Sequence, residues 1–486
     1  MYIDKLHLKN IRTFVDDTLV FIHPETEFKD PAASDEVNAG RLPKPRLPNV
    51  NLLLGENGAG KTTVLQAIAL ASLGPAAPVA QLPVPRLVRM SDEVSVSEAA
   101  GDVMAQFKLH PSDAEPPGNR ELHLMLLRRS ETEELRLGGY VPPQLNGDVF
   151  TEGLKTLQQA ITSESKELQE LVEFALRREV DSAIKLPLDL SRFKELVFRL
   201  MFLRHGVLEA WERVHDSQNP AFFCVAYGAM RRSDPGDLRS PSMRPAVRFQ
   251  RATRLQSIFE DGYSVYPLRH WLPTLREQNL ERHTEILNIL NSLISDENCR
   301  LTDEERDGDL LFERHGLKLP LSELSDGYRA FIAWVADLLY HLSYACPREQ
   351  SLLDCRGIVL VDEIDLHLHP RWQMKVVSTI ANAFPKMQFI FTSHSPLIVG
   401  SVEWMNILTL QTDPATNETD IKRWPESVHG LDADQILLTK FFGLTTTRAG
   451  AKVSELEALR EAALAGNRQA ARALLRAMST GTEYQP

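Results

Sequence analysis

Gly55-Glu-Asn-Gly-Ala-Gly-Lys61-Thr62 is the stretch on which the reading of this chain turns. It follows Pro48-Asn-Val-Asn-Leu-Leu-Leu-Gly55, an apolar run bounded by turn residues and so expected to be a buried strand. A helix is expected from Lys61 to about Leu73. A glycine-rich turn between strand and helix lets consecutive backbone N–H groups face one anion, and the helix N-terminus adds partial positive charge there. The spacing is that of a P-loop. It makes Asn57, Gly58, Ala59, Gly60, Lys61, Thr62 and Thr63 the candidate ATP-binding residues. Lys61 would reach the β- and γ-phosphates, and the Thr62 hydroxyl would ligate Mg²⁺. A chance glycine-rich turn is the plain alternative, and the flanking strand and helix argue against it.

Some 300 residues later, Ile358-Val-Leu-Val361 forms a second buried strand, ending in Asp362-Glu363. A carboxylate at such a strand end can hold Mg²⁺, which suits Asp362, and a second can polarise an attacking water, which suits Glu363. Taken alone, two acids after an apolar run are more often a strand entering a solvated loop. A third strand, Gln388-Phe-Ile-Phe-Thr392, leads into Ser393-His394-Ser395-Pro396, which places His394 to contact a γ-phosphate. A lone histidine is usually structural, and only the neighbouring motifs reverse that prior. Between the halves, Leu324-Ser-Asp-Gly-Tyr328 opens a helix running to about Leu342. In isolation Ser325 there reads as an N-cap.

The rest of the chain sets limits. Its 486 residues suffice for two or three domains, and 43% hydrophobic with 25% charged residues is the balance of a globular protein. A net charge of -12 argues against a protein coated by nucleic acid but leaves room for a local basic patch. Four scattered cysteines, with no C-x-x-C pair, suggest neither a zinc site nor a disulfide framework and point to a reducing cytoplasm. No apolar run approaches about 18 residues, so no membrane span is expected.

The organisation expected is an N-terminal half at 1–145, a helical insertion at 146–218, and a return strand with an Arg-rich loop and helix at 219–300. A C-terminal half at 301–425 and a tail of two or three helices at 426–486 complete it. Strands are expected at 2–8, 17–22, 102–109, 121–137 and 222–227, and helix at 270–297.

Four ordered features together resemble the ABC-type P-loop ATPases of the SMC, RecF and OLD group. Ile3-x-x-Leu-x-Leu-x-Asn10-Ile-Arg-x-Phe14 resembles their first strand, Leu324–Tyr328 their signature, Asp362-Glu363-Ile-Asp365 their Walker B and D-loop, and His394 their switch histidine. The resemblance implies an α/β ATPase head assembled from both ends of the chain. It further implies a homodimer or higher homo-oligomer that sandwiches ATP and Mg²⁺, with Ser325 and Gly327 meeting the γ-phosphate in trans and Asp365 at the seam. Asp326 and Tyr328 depart from the group's Gly and Gln, and an anionic Asp326 must point away from phosphate. Asp362-Glu-Ile-Asp-Leu-His-Leu-His-Pro370-Arg-Trp-Gln, followed by Thr392-Ser-His-Ser-Pro396, is similar to the ATPase subunits of Septu (PtuA-like) and of retrons. It is more loosely similar to those of PARIS and Gabija. His367 and His369 could form a metal pair, but a D-loop leading into a helix at Pro370 is the simpler reading.

The function this implies is a cytoplasmic ATPase subunit that controls a separate nuclease effector in antiviral defence. The alternative is a RecF- or SMC-like repair or chromosome-maintenance ATPase. A transporter subunit is disfavoured by the roughly 260 residues between Lys61 and the signature. From Arg231 to Arg254, seven arginines stand against two aspartates, a candidate DNA contact, although charge runs are usually solvated. Arg231 and Arg232, just after the 222–227 strand, are alternatively placed to approach the nucleotide.

Overall fold

The computed structural model of the chain describes residues 1–30, 38–74, 77, 82–84, 86–89, 98–110, 118–129, 132–137, 223–231, 250–294, 299–444, 446–447, 450–464 and 467–480. The expected helical insertion at 146–218 lies outside the described residues.

Both ends of the chain build one sheet. β3 (Val50–Gly55) lies between β12 (Met387–Ser393) and β13 (Ile407–Asp413), and β11 (Gly357–Val361) and β7 (Cys224–Tyr227) continue the sheet beyond β12. These five strands run parallel, and β14 (Glu418–Lys422) closes one edge antiparallel. Parallel strands are covered on both faces, which is why their sequences are unbroken apolar runs. Alternate residues go to opposite sides. Leu52, Leu54, Val359, Val361, Phe389 and Phe391 enter one core, while Leu53, Ile358, Leu360, Ile390 and Leu408 enter the other.

The first core is shared with α3 (Leu268–Gln278), α4 (Leu280–Ile294), α5 (Asp326–Ala345) and α7 (Val376–Ala383). The second is shared with α1 (Lys61–Leu73), buried everywhere except Thr62, and with an antiparallel sheet. That sheet has the order β2 (Phe14–Val20), β1 (Tyr2–Ile11), β4 (Glu98–Leu109), β5 (Gly118–Arg129) and β6 (Thr132–Leu137).

Several expectations need correction. The second strand covers Phe14–Val20, not 17–22. The stretch 121–137 is a hairpin, with Arg129 paired to Thr132. The helix expected over 270–297 is two helices. Asn279 is non-helical (φ −156°, ψ 87°), and its Oδ1 accepts the Arg282 N–H at 3.0 Å, capping α4. A meander of β8 (Cys299–Arg306), β9 (Asp309–Arg314) and β10 (Leu317–Pro320) precedes α5 and was missed. Its signal was present: Asp307-Gly308 and His315-Gly316 are two-residue turns with positive φ at both positions, the geometry that hairpins favour. The C-terminal tail contains α8 (Ala433–Leu437), α9 (Gly450–Leu464) and α10 (Arg468–Thr480). No helix among the described residues is long and apolar enough to cross a membrane.

Candidate nucleotide site

The loop after β3 has the backbone its glycines permit. Gly58 (φ 86°) and Gly60 (φ 94°) are left-handed, and a Cβ on Gly60 would sit 2.6 Å from the Phe14 ring. Lys61 is 7% exposed and folds back on the loop, donating to the Gly55 and Glu56 carbonyls at 3.0 and 2.9 Å. Burial lowers its pKa, while the charges of Asp362, Glu363 and Asp365 oppose the shift. Asn57 and Gly58 are exposed, whereas Ala59 is buried and its carbonyl accepts from Thr419 Oγ1 at 3.2 Å. Thr63 points away from the loop, its hydroxyl accepting from Arg12 at 3.2 Å.

Because β11 and β12 are neighbours in the sheet holding β3, their C-terminal ends converge on this loop. Thr62 Oγ1 donates to Asp362 Oδ2 at 2.7 Å, and Thr392 Oγ1 donates to Asp362 Oδ1 at 2.6 Å. Hydrogen bonds to a charged acceptor of this kind contribute about 1.5–3 kcal/mol each. The Glu363 N–H in turn donates to Thr392 Oγ1 at 2.7 Å. Glu363 itself has φ 47°, a left-handed backbone costing a non-glycine residue about 1–3 kcal/mol. Burial, then the charges of Asp362 and Asp365, raise the Glu363 pKa above 4.5. Burial, together with Lys61, lowers that of His394. His394 Nε2 and Asp365 Oδ1 are buried without a hydrogen-bond partner. Buried polar atoms are rarely left unpaired unless a ligand or water completes them.

The residues present fit Mg²⁺ and a nucleotide. Thr62 and Asp362 offer hard oxygen donors 2.7 Å apart, and the charge of Lys61 acts on His394 and Asp365, whose buried polar atoms are left unpaired. Mg²⁺ characteristically takes one or two protein oxygens and completes its shell with phosphate and water. Among the described residues no group of three or more His, Cys, Asp or Glu is arranged to hold a metal ion. His369 is instead the N-cap of α6 (Pro370–Gln373), its Nδ1 accepting from the Arg371 N–H at 3.3 Å.

The signature residues lie elsewhere. Ser325 occupies the N-cap position of α5 but makes no side-chain cap bond, so its exposed hydroxyl is not used by the helix. A Cβ on Gly327 would lie 2.6 Å from the His367 carbonyl, so glycine is needed there by packing within the chain. Asp326 is turned outward and paired with Arg329 at 2.6 Å. Tyr328 is a core residue, edge-on to Trp372 at 5.6 Å and beneath the Arg314 guanidinium.

Arg231, in sequence either part of a charged surface run or a residue approaching the nucleotide, lies against this site. It is 8% exposed, and its Nη1 and Nη2 donate to the carbonyls of Asp362 and Glu363. Burial lowers its pKa to about 10, and the charges of Asp362, Asp365 and Glu363 resist the shift, so it stays cationic at neutral pH. Arg251, in α2 (Gln250–Thr253), is also buried, and Arg254 packs over the Phe223 ring at 5.1 Å. These three arginines face the interior, and the other four of the cluster lie outside the described residues.

Two family models match separate stretches of the chain. A family model described as "AAA domain" matches residues 5–109, and one described as "AAA domain, putative AbiEii toxin, Type IV TA system" matches 188–400. The chain is 33% identical over 195 residues to Septu protein PtuA of Bacillus mycoides, covering 40% of this chain and 26% of that protein. It is 42% identical over 94 residues to the "Retron Vc95 probable ATPase" of Vibrio cholerae, covering 19% and 18%. The matches thus span about a quarter or less of these relatives' lengths. Among solved structures, the SMC head domain from Thermotoga maritima aligns with 87% of this chain and 99% of its own, at 12% identity and a TM-score of 0.36.

Proposed function

We propose that this chain, which resembles the P-loop ATPases of bacterial anti-phage defence systems, hydrolyses ATP as the regulatory subunit of a separate effector, a nuclease. One observation carries the ATPase reading. Thr62 and Asp362, 300 residues apart in sequence, meet at 2.7 Å beside Lys61, with Glu363 next to Asp362 at the same strand end. The similarity to Septu and retron proteins supports placing that activity in defence.

In this reading the N–H groups of Asn57, Gly58, Ala59, Gly60, Lys61, Thr62 and Thr63 wrap the phosphates, and Lys61 leaves its loop carbonyls to meet them. Thr62 and Asp362 hold Mg²⁺, which when bound neutralises charge on the phosphates. Glu363 takes the proton of the attacking water, and its raised pKa suits a base. His394 senses the γ-phosphate with its unpaired Nε2. Ser325 and Gly327 meet the γ-phosphate held by a second copy, and Asp365 lies at the seam between the two.

Steady-state hydrolysis tests the chemistry. Glu363→Gln should lower kcat by about 10²–10⁴-fold while ATP still binds, and Lys61→Ala should lose binding. Normal turnover by Glu363→Gln would sink the site. A pull-down of tagged Glu363→Gln protein from its host, read by mass spectrometry, tests the effector. A stoichiometric nuclease supports the proposal, replication or recombination proteins favour the repair alternative, and a chain recovered alone removes the effector.

A further inference from the structure

We infer that Arg231 is a positioning residue for hydrolysis: with Thr392 it clamps the backbone of Glu363, and so acts on turnover and not on ATP affinity. The inference deepens the reading above and rests on Glu363 as the base.

The clamp closes on both sides of one residue. The Glu363 N–H is held by Thr392 Oγ1 at 2.7 Å, its carbonyl by Arg231 Nη2 at 2.9 Å, and the preceding Asp362 carbonyl by Arg231 Nη1. The next peptide is also fixed, since Ile364 N–H donates to the Thr392 carbonyl at 3.0 Å. Glu363 needs such restraint, because its φ of 47° is one an unrestrained glutamate avoids. The planar guanidinium gives each of the two successive carbonyls its own nitrogen in a fixed fork, whereas a lysine ammonium would have to serve both from one freely rotating atom.

Arg231 is itself held in place. It ends the turn after β7, where Arg231 N–H donates to the Gly228 carbonyl at 3.4 Å and Gly228 N–H donates to Ser257 Oγ at 3.0 Å. A Cβ on Gly228 would lie 2.3 Å from the Ser257 carbonyl. One residue earlier, Tyr227 donates its hydroxyl to the buried Asp337 at 2.9 Å. The turn is therefore rigid, and the arginine reaches the acids from the strand neighbouring theirs.

The test measures hydrolysis, equilibrium binding of a fluorescent ATP analogue without added Mg²⁺, and amide exchange of a peptide spanning 362–366 in the nucleotide-free protein. Arg231→Ala should lower kcat by about 10²-fold, the scale of a misplaced catalytic group. Affinity should stay within about 3-fold, and exchange at 362–366 should accelerate. Arg231→Lys should fall between, and Thr392→Val should repeat the pattern from the other side of the clamp. In a Glu363→Gln background, Arg231→Ala should add less than about 3-fold, because the two changes remove one function. Equal losses of affinity and turnover, or losses that multiply with Glu363→Gln, overturn the inference. If Glu363→Gln alone leaves hydrolysis intact, the assignment of the base has failed instead, and unaltered exchange in Arg231→Ala would then separately reject the clamp.

Discussion

Thr392 shows how much one side chain can settle. Its hydroxyl donates to Asp362 and accepts from the Glu363 N–H, fixing both acids from the neighbouring strand. Nothing in Gln388-Phe-Ile-Phe-Thr392 read as a sequence distinguishes that threonine from any other at a strand end. The acids it holds carry a pH signature. Burial, Asp362 and Asp365 raise the Glu363 pKa above 4.5, and a base works only when deprotonated, so kcat/KM should fall as pH drops through that raised value. Removing one of the charges that raises it should move this acidic limb. Asp365→Asn should shift it to lower pH whatever happens to the maximal rate, and a pH–rate profile that stays in place would show that Glu363 does not set the limb.

The helix α5 joins the signature to the core, and its stability depends on a buried acid. Asp337, 1% exposed, accepts from Tyr227 Oη at 2.9 Å and from the Tyr266 N–H at 2.7 Å, and lies 3.4 Å from His341 Nε2. Burial alone would raise its pKa, but His341 and these hydrogen bonds outweigh burial and hold it below 3.8. A depressed folded-state pKa contributes stability that is present above the unfolded value and lost as pH falls through the folded one. This contribution should therefore be intact at neutral pH and disappear below about 3.8. Asp337→Ala strands the Tyr227 hydroxyl and the Tyr266 N–H, and should cost about 2–4 kcal/mol. A urea midpoint at pH 7 equal to wild type would contradict this. At the N-terminal end of α5, Gly327→Ala would push a methyl onto the His367 carbonyl, destabilising the junction by about 1–3 kcal/mol.

At the scale of the whole molecule, two distant halves are joined by buried polar side chains. Gln388 bonds both the N–H and the carbonyl of Ile3 at 2.8 Å and also donates to the Ile22 carbonyl at 3.0 Å. If the site also needs Ser325 and Gly327 from a second copy, Glu363→Gln protein should double in mass on adding ATP, and Ser325→Arg should prevent it. Light scattering that reports one unchanged mass in every case would reject the trans arrangement. The sequence alone determined the parallel sheet and its motif order, because apolar runs ending in glycines, acids or histidine have few other solutions. It also marked Lys61, Thr62, Asp362, Glu363 and His394, whose chemistry is local to their strand ends. Only the tertiary structure decided which strands are neighbours, and with that the bond between Thr62 and Asp362. It also decided between the two readings of Arg231, as a surface charge or beside the nucleotide, by making it the buried partner of two carbonyls. Burial and long-range pairing depend on where remote segments pack, and charge or periodicity along a chain does not encode that.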